Sequence, residues 1–431
     1  MSLAGSQQKI FLRLVAALRP HWHRDANLPA RIQALFAANR SFGSRDRRLQ
    51  RELIYTTLRF LPWIEPLLDG DPARAAQTVA WLAADLPATH AYRIATCDGW
   101  PPCPPTVAAK AAHLGADAAA LLPAWVGRHC AEAVVPPNLD RLHTRASLWL
   151  RLQTTNAARV LDEFTARGWP WRRSEILPLA VELLADADVT KTDAWAAGLV
   201  EVQDLGSQLI LESVGIASGG HWLDACAGAG GKTLQLAALL GPAGRVDAHD
   251  IRPGALRELA ARANRAGLAV RQPLIDNSAI SPEGTKTGCQ LIDDNESGGV
   301  TLLDGLPAAA ARYDGVLVDA PCSGSGTWRR SPHLKWTTGA GHVTQAAEKQ
   351  LALLAQFGAL VRPGGRLVYA TCSLSRFENE EVVAAFLAAH GDFAPEAPAR
   401  AFGATPRRVG LALLPAQHNT DGFYVASLRR R

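Results

Sequence analysis

Apolar residues recur every three or four positions at Ile10, Leu14, Val15 and Leu18, and again at Leu49, Leu53, Ile54 and Leu58. That spacing predicts amphipathic helices. Pro20, Pro62 and Pro66 break these runs, and Pro101, Pro102, Pro104 and Pro105 mark a loop. Pro136, Pro137 and Asn138 suggest a boundary near residue 140. Beyond it Leu148, Leu150 and Leu152 alternate with Trp149 and Arg151, as in a half-exposed strand.

From about residue 220 the pattern changes to short apolar runs alternating with amphipathic stretches. His221–Cys226, Arg245–His249, Val270–Ile275, Gly315–Ala320 and Gly365–Thr371 read as strands. Lys232–Leu240, Gly254–Ala266 and Thr344–Val361 read as helices. Such alternation predicts an α/β fold with a doubly wound, Rossmann-like parallel sheet that binds ligands at the carboxyl ends of its strands. Residues 277–299 carry Ser, Gly, Thr, Asp and Asn with no periodicity, which predicts a flexible surface insertion.

A chain of 431 residues, 48% hydrophobic and 20% charged, has material for two or three domains and excludes a disordered or disulfide-stapled mini-protein. Its apolar stretches are all interrupted well short of a membrane span, and the N-terminus has no secretory pattern, so a cytoplasmic protein with no membrane partner is expected. Seven cysteines without CxxC spacing argue for reduced thiols and against a tetrahedral zinc site. The net charge is +5, yet residues 1–60 alone hold eleven Lys or Arg against three acids. This basic segment suggests a polyanionic partner, the alternative being a solvated helical face.

The run Leu223-Asp224-Ala225-Cys226-Ala227-Gly228-Ala229-Gly230-Gly231-Lys232-Thr233 passes from a strand into a helix. A phosphate-binding P-loop would need glycine where Cys226 stands. An adenosyl-cofactor loop fits better: an acid ends the strand, glycines let the backbone approach the ligand, and a second acid follows about 20 residues on. Asp250 occupies that place and could accept both ribose hydroxyls. A tight turn without ligand, with Asp224 and Asp250 as helix caps, is the plainer alternative.

Cys322, in Asp319-Ala320-Pro321-Cys322, and Cys372, in Thr371-Cys372-Ser373, both follow predicted strands and would open onto the edge that carries the glycine loop. Each alone reads as a small buried hydrophobe. Together with an acid they suit attack on an electron-poor heterocycle. Cytosine carbon 5 accepts a methyl group only after a thiolate adds at carbon 6 and an acid neutralises ring nitrogen 3, and the adduct must then be resolved.

LDACAGAGGKT (223–233), DAPCSGSGTWRRSP (319–332) and ATCSLSRFENEE (370–381) together resemble the motifs of the Nop/Sun family of RNA (cytosine-5) methyltransferases. SRDRRLQRELIYTTLRF (44–60) is similar to the NusB-like helical domain of its bacterial ribosomal-RNA members, and LWLRLQTT (148–155) and VEVQDLGSQL (200–209) resemble their small RNA-binding module and the entry to the catalytic domain. The resemblance implies three domains: an all-α NusB-like domain over 1–140, a small α/β RNA-binding module over 141–205, and a Rossmann-like catalytic domain over 206–431. It further implies a monomer that moves a methyl group from S-adenosylmethionine to cytosine carbon 5 in ribosomal RNA through a covalent adduct.

Carried over by position, Cys372 is the nucleophile, Cys322 assists product release, and Asp319 serves cytosine nitrogen 3 and the edge of the methyl-donor pocket. Cys226, Ala227, Gly228, Ala229, Gly230, Gly231 and Lys232 wrap S-adenosylmethionine, with Asp250 on its ribose. Asp276 is expected near the adenine, with Asp304 as a rival. The family loop commonly reads Ala-Ala-Pro-Gly-Gly-Lys, and Gly228 and Ala229 stand here in place of Ala-Pro. A transfer-RNA or DNA cytosine-5 enzyme and a non-catalytic RNA-binding assembly factor are the alternatives. The first is separated by which cysteine forms the adduct, the second by whether cofactor binds. Trp328, Arg329, Arg330, His333, Lys335 and Trp336 are expected to hold phosphates and stack on bases, unless the indoles pack beneath the loop. Arg45, Arg47, Arg48 and Arg51 would add a further phosphate contact.

Overall fold

The helical spacing near the N-terminus produces Leu3–Leu18, capped by the Ser2 side chain, and Ser44–Arg59, which buries Leu49, Leu53, Ile54 and Leu58. The computed structural model describes residues 2–39, 42–271, 298–307 and 312–431. The chain divides into two compact units, Met1–Ala146 with Ser323–His342, and Ser147–Cys322 with Val343–Arg431.

The first unit is helical around one core that includes Phe11, Trp22, Phe36, Phe60, Val79 and Trp81. Segment 323–342 is part of it, and this overturns the expectation of base-stacking or phosphate-holding for Trp328, Arg329, His333, Lys335 and Trp336, while Arg330 stays exposed. Trp328, Arg329, His333 and Lys335 are all buried. Lys335 Nζ donates to Arg59 O (2.8 Å) and Leu121 O (3.2 Å) and lies 2.9 Å from His143 Nε2. Trp336 Nε1 donates to Leu58 O at 2.6 Å, and Trp328 packs edge-on against Trp125. The last carbonyls of helix Ser44–Arg59 lack partners within the helix, and these side chains supply them. Burial and the neighbouring Arg59 push the Lys335 ammonium well below its ordinary pKa. Arg45, Arg48 and Arg51 remain exposed on the same helix.

The second unit holds two sheets. The smaller is antiparallel, ordered β2 (Trp171–Arg173), β3 (Ala180–Leu183), β1 (Leu148–Leu152), β4 (Val200–Val202). Leu150, Leu152, Val181, Leu183 and Val200 pack with helix Ala157–Ala166 on one face. The alternate residues Trp149, Arg151, Glu182 and Glu201 are buried as well, in a charged layer where Glu201 meets Arg262 and Arg265 and Glu182 meets Asn419.

The larger sheet contains β5 (Gly220–Asp224), β6 (Gly244–His249), β7 (Val270–Arg271), β8 (Val300–Leu303), β9 (Tyr313–Asp319), β10 (Val361–Thr371), β11 (Phe393–Glu396), β12 (Thr405–Pro406), β13 (Leu411–Leu413) and β14 (Phe423–Arg430). Its order is β12-β13-β14-β10-β9-β5-β6-β8-β7, with β11 on β14. β7, β8, β6, β5, β9 and β10 run parallel, and β14 is antiparallel to β10. Separate apolar clusters cover the two faces, one with helices Leu205–Val214, Gly231–Leu240 and Pro253–Arg265, the other with Ala340–Gly358 and Glu380–Ala389. β8, unread in the sequence, takes the place beside β6; the described part of the 270–275 run is β7, at the sheet edge. The order steps outward from β5 to β6 on one side and returns through β9 on the other, so a crevice opens at the carboxyl ends of β5 and β9.

Candidate active site

Asp224, the last residue of β5, is fully buried. Its Oδ2 accepts from Thr233 Oγ1 at 2.7 Å, while Oδ1 has no hydrogen-bond partner among the described residues. Burial raises this carboxyl to about 7, opposed by the Thr233 hydrogen bond. The glycine loop follows. Gly228 (φ 54°) and Gly230 (φ 88°) are left-handed, and a Cβ on Gly230 would lie 2.6 Å from Leu259. Gly230 is therefore required both for its backbone and for close packing. Gly231 begins the following helix, and burial pushes the Cys226 thiol up.

Asp250 follows β6, with its side chain largely buried. Oδ2 accepts from Gly228 N at 2.9 Å and Oδ1 from Arg252 N at 2.9 Å, and Arg252 closes an ion pair on the same carboxylate. Burial alone would raise its pKa, but these donors leave it lowered. The carboxylate thus joins the glycine loop to the turn after β6, while the neighbouring Ile251 is 87% exposed. Asp304 follows β8 and is exposed; Asp276 lies outside the described residues.

The parallel register pairs Ala370 with Asp319, so the segments leaving β10 and β9 emerge side by side. Cys322 Sγ and Cys372 Sγ are 3.4 Å apart. Lys232 Nζ donates to Asp319 Oδ2 at 2.8 Å, tying the helix after the glycine loop to the end of β9. Burial would lower the Lys232 pKa, but Asp319 outweighs it and leaves the ammonium raised. Lys232 is buried in this pair, so its bond runs to Asp319 within the crevice wall.

Three buried residues that sequence reasoning left without a role hold the cysteine loops together. Gln350 Nε2 donates to Pro321 O (3.0 Å) and Glu378 Oε1 (3.1 Å), and Glu378 Oε2 accepts from Ser373 Oγ (2.5 Å). Asn379 donates to Ser373 O at 2.9 Å and accepts from Thr371 Oγ1 at 2.6 Å. Glu378 and Asn379 lie within the third motif, where two consecutive polar residues soon after a strand end were the available signal. Gln350, on a long helix, gave none.

The unpartnered Asp224 oxygen, the glycine cradle, the Asp250 carboxylate and the exposed Ile251 fit an adenosyl cofactor whose ribose donates hydroxyls and whose sulfonium is cationic. Among the described residues no group of three or more His, Cys, Asp or Glu side chains could hold a metal, and no helix is long and apolar enough to cross a membrane.

A family model described as 16S rRNA methyltransferase RsmB/F matches residues 215–429. A Bacillus subtilis protein named probable ribosomal RNA small subunit methyltransferase B is 30% identical over 322 residues, 72% of this chain and 66% of that protein. A Vibrio cholerae protein named ribosomal RNA small subunit methyltransferase B is 31% identical over 67% of this chain and 60% of its own length. The matched region thus spans somewhat under two thirds of these relatives. Among solved structures, the one titled Crystal Structure of PH0851 superposes with a TM-score of 0.68 at 20% identity, covering 92% of this chain and 93% of that one. The fold is that of S-adenosylmethionine-dependent methyltransferases, and the chain belongs to the 16S rRNA methyltransferase RsmB/F family.

Proposed function

We propose that the chain transfers a methyl group from S-adenosylmethionine to carbon 5 of a cytosine in small-subunit ribosomal RNA. The observation that carries this reading is the pair of thiols 3.4 Å apart at adjacent strand ends, beside the Lys232–Asp319 pair. A single thiol would serve addition; a second beside it serves resolution. The names of the relatives support ribosomal RNA as the substrate class.

Cys372, as thiolate, forms a bond to cytosine carbon 6, and the displaced electron pair is taken up as nitrogen 3 gains a proton. Asp319 gives that proton to nitrogen 3 from its carboxyl group, and Lys232 on Oδ2 stabilises the carboxylate that remains. When bound, S-adenosylmethionine would supply the methyl group to carbon 5 and leave as S-adenosylhomocysteine. A base assisted by Cys322 takes the carbon-5 proton, the electron pair restores the ring double bond and expels Cys372 as thiolate, and nitrogen 3 returns its proton to the Asp319 carboxylate. Cys322 stands beside Cys372 to assist that elimination. Asp224, Asp250 and the Cys226–Gly231 backbone would hold the cofactor, with Asp276, or its rival Asp304 after the strand beside β6, serving its adenine. The exposed arginines of helix Ser44–Arg59 contact phosphate.

Bisulfite sequencing of small-subunit ribosomal RNA from a strain lacking the gene tests the reading. Loss of one 5-methylcytosine, restored by the wild-type chain and not by Cys372→Ala, is the expected result. An unchanged methylation pattern would overturn it.

A further inference from the structure

Helix Pro253–Arg265 meets the glycine loop at two points on one face. Leu259 fills the space against Gly230, and one turn on Arg262 Nη1 donates to Ala229 O at 2.7 Å. The other end of that same peptide unit, Gly230 N, donates to Ala227 O at 2.9 Å. The plane of the 229–230 peptide is therefore held from both ends. Ala229 lies between two glycines of positive φ, a stretch with much backbone entropy to lose, so an outside restraint has a large effect there.

Arg262 is itself fixed. Its Nε and Nη2 both donate to Glu201 Oε2, at 3.1 and 2.8 Å, and Glu201 is buried in β4 of the small sheet. Arg265 shares this carboxylate through Oε1 at 2.6 Å and lays its guanidinium over Trp195 at 4.0 Å. Among the described residues the Arg265 side chain has no hydrogen bond to the loop. Two arginines thus share one carboxylate, and one of them reaches the cofactor loop.

We propose that Arg262 is a positioning residue for S-adenosylmethionine binding, set in place by Glu201, so that the small sheet contributes to cofactor affinity through the Glu201–Arg262–Ala229 chain. The proposal rests on the reading of the loop as the cofactor site. With the Ala229 carbonyl pinned, the free N–H groups at the start of helix Gly231–Leu240 are presented in one arrangement. Without Arg262 the loop samples others, and binding has to select among them.

The test is titration calorimetry of the full chain with S-adenosylhomocysteine, without RNA, for wild type, Arg262→Met and Arg265→Met. Loss of one charge-assisted hydrogen bond predicts a Kd about tenfold higher for Arg262→Met, and Arg265→Met within about twofold of wild type. At saturating cofactor, kcat and the KM for RNA should be unchanged in Arg262→Met. The Arg265→Met control breaks the same buried carboxylate contact, so it registers any general loosening of the fold. Equal affinity in Arg262→Met and wild type would overturn the proposal, as would equal losses in both variants. No binding by the wild-type chain would overturn the cofactor reading itself.

Discussion

Replacing Lys335 with Met decides between two readings of the segment after Cys322. The side chain is 1% exposed, and three acceptors converge on Nζ: Arg59 O, Leu121 O and His143 Nε2. His143 Nδ1 lies 2.8 Å from Leu139 O, which places the imidazole proton there and leaves Nε2 to accept. Methionine fills nearly the same volume but leaves all three acceptors without a donor. At about 1 kcal/mol for each lost hydrogen bond, less what is regained by no longer burying an amine, the helical unit should lose about 2–3 kcal/mol. For a unit of this size, unfolding by itself, that lowers Tm by roughly 4–12 °C. Calorimetry of the intact chain reads the shift, and filter binding reads RNA affinity alongside. A chain that melts like wild type but binds RNA more weakly would refute the argument and restore Lys335 as a phosphate contact.

Asp250→Ala should raise the Kd for S-adenosylhomocysteine and leave RNA affinity unchanged, since it removes the proposed ribose acceptor together with the Gly228 N–H partner; an unchanged constant would reduce Asp250 to a turn-forming residue. Asp304→Ala should weaken the same binding by a smaller factor, because its carboxylate is exposed and competes with water. No change in calorimetry would assign the adenine edge to another group.

Much of the larger sheet was legible because parallel strands buried on both faces read as apolar runs, and His221–Asp224, Arg245–His249 and Gly315–Asp319 all lie in such strands. β8 escaped because four residues after a polar stretch carry no period, and its position beside β6 is set by pairing. The juxtaposition of Cys322 and Cys372 followed from two strand ends in a parallel sheet, but Gln350, which joins their loops, is 29 residues from Pro321 and leaves no local trace. Trp328 to Trp336 misled for a physical reason. Basic and aromatic residues on a loop suit nucleic acid, yet the same donors satisfy the last carbonyls of a helix, and the sequence alone does not say which acceptor they meet. The Glu201–Arg262 link likewise joins residues 61 apart, and charge pattern along the chain does not disclose it.

The central claim is that Cys372 attacks and Cys322 resolves. Each single variant to Ala and the double variant, incubated with substrate RNA and S-adenosylmethionine and run on a denaturing gel with a nuclease control, test it most directly. Cys322→Ala should accumulate a nuclease-sensitive band of protein covalently joined to RNA, while Cys372→Ala and the double variant give none. A band from Cys372→Ala and none from Cys322→Ala would contradict the assignment by exchanging the two roles, and no band from any variant would contradict the covalent route.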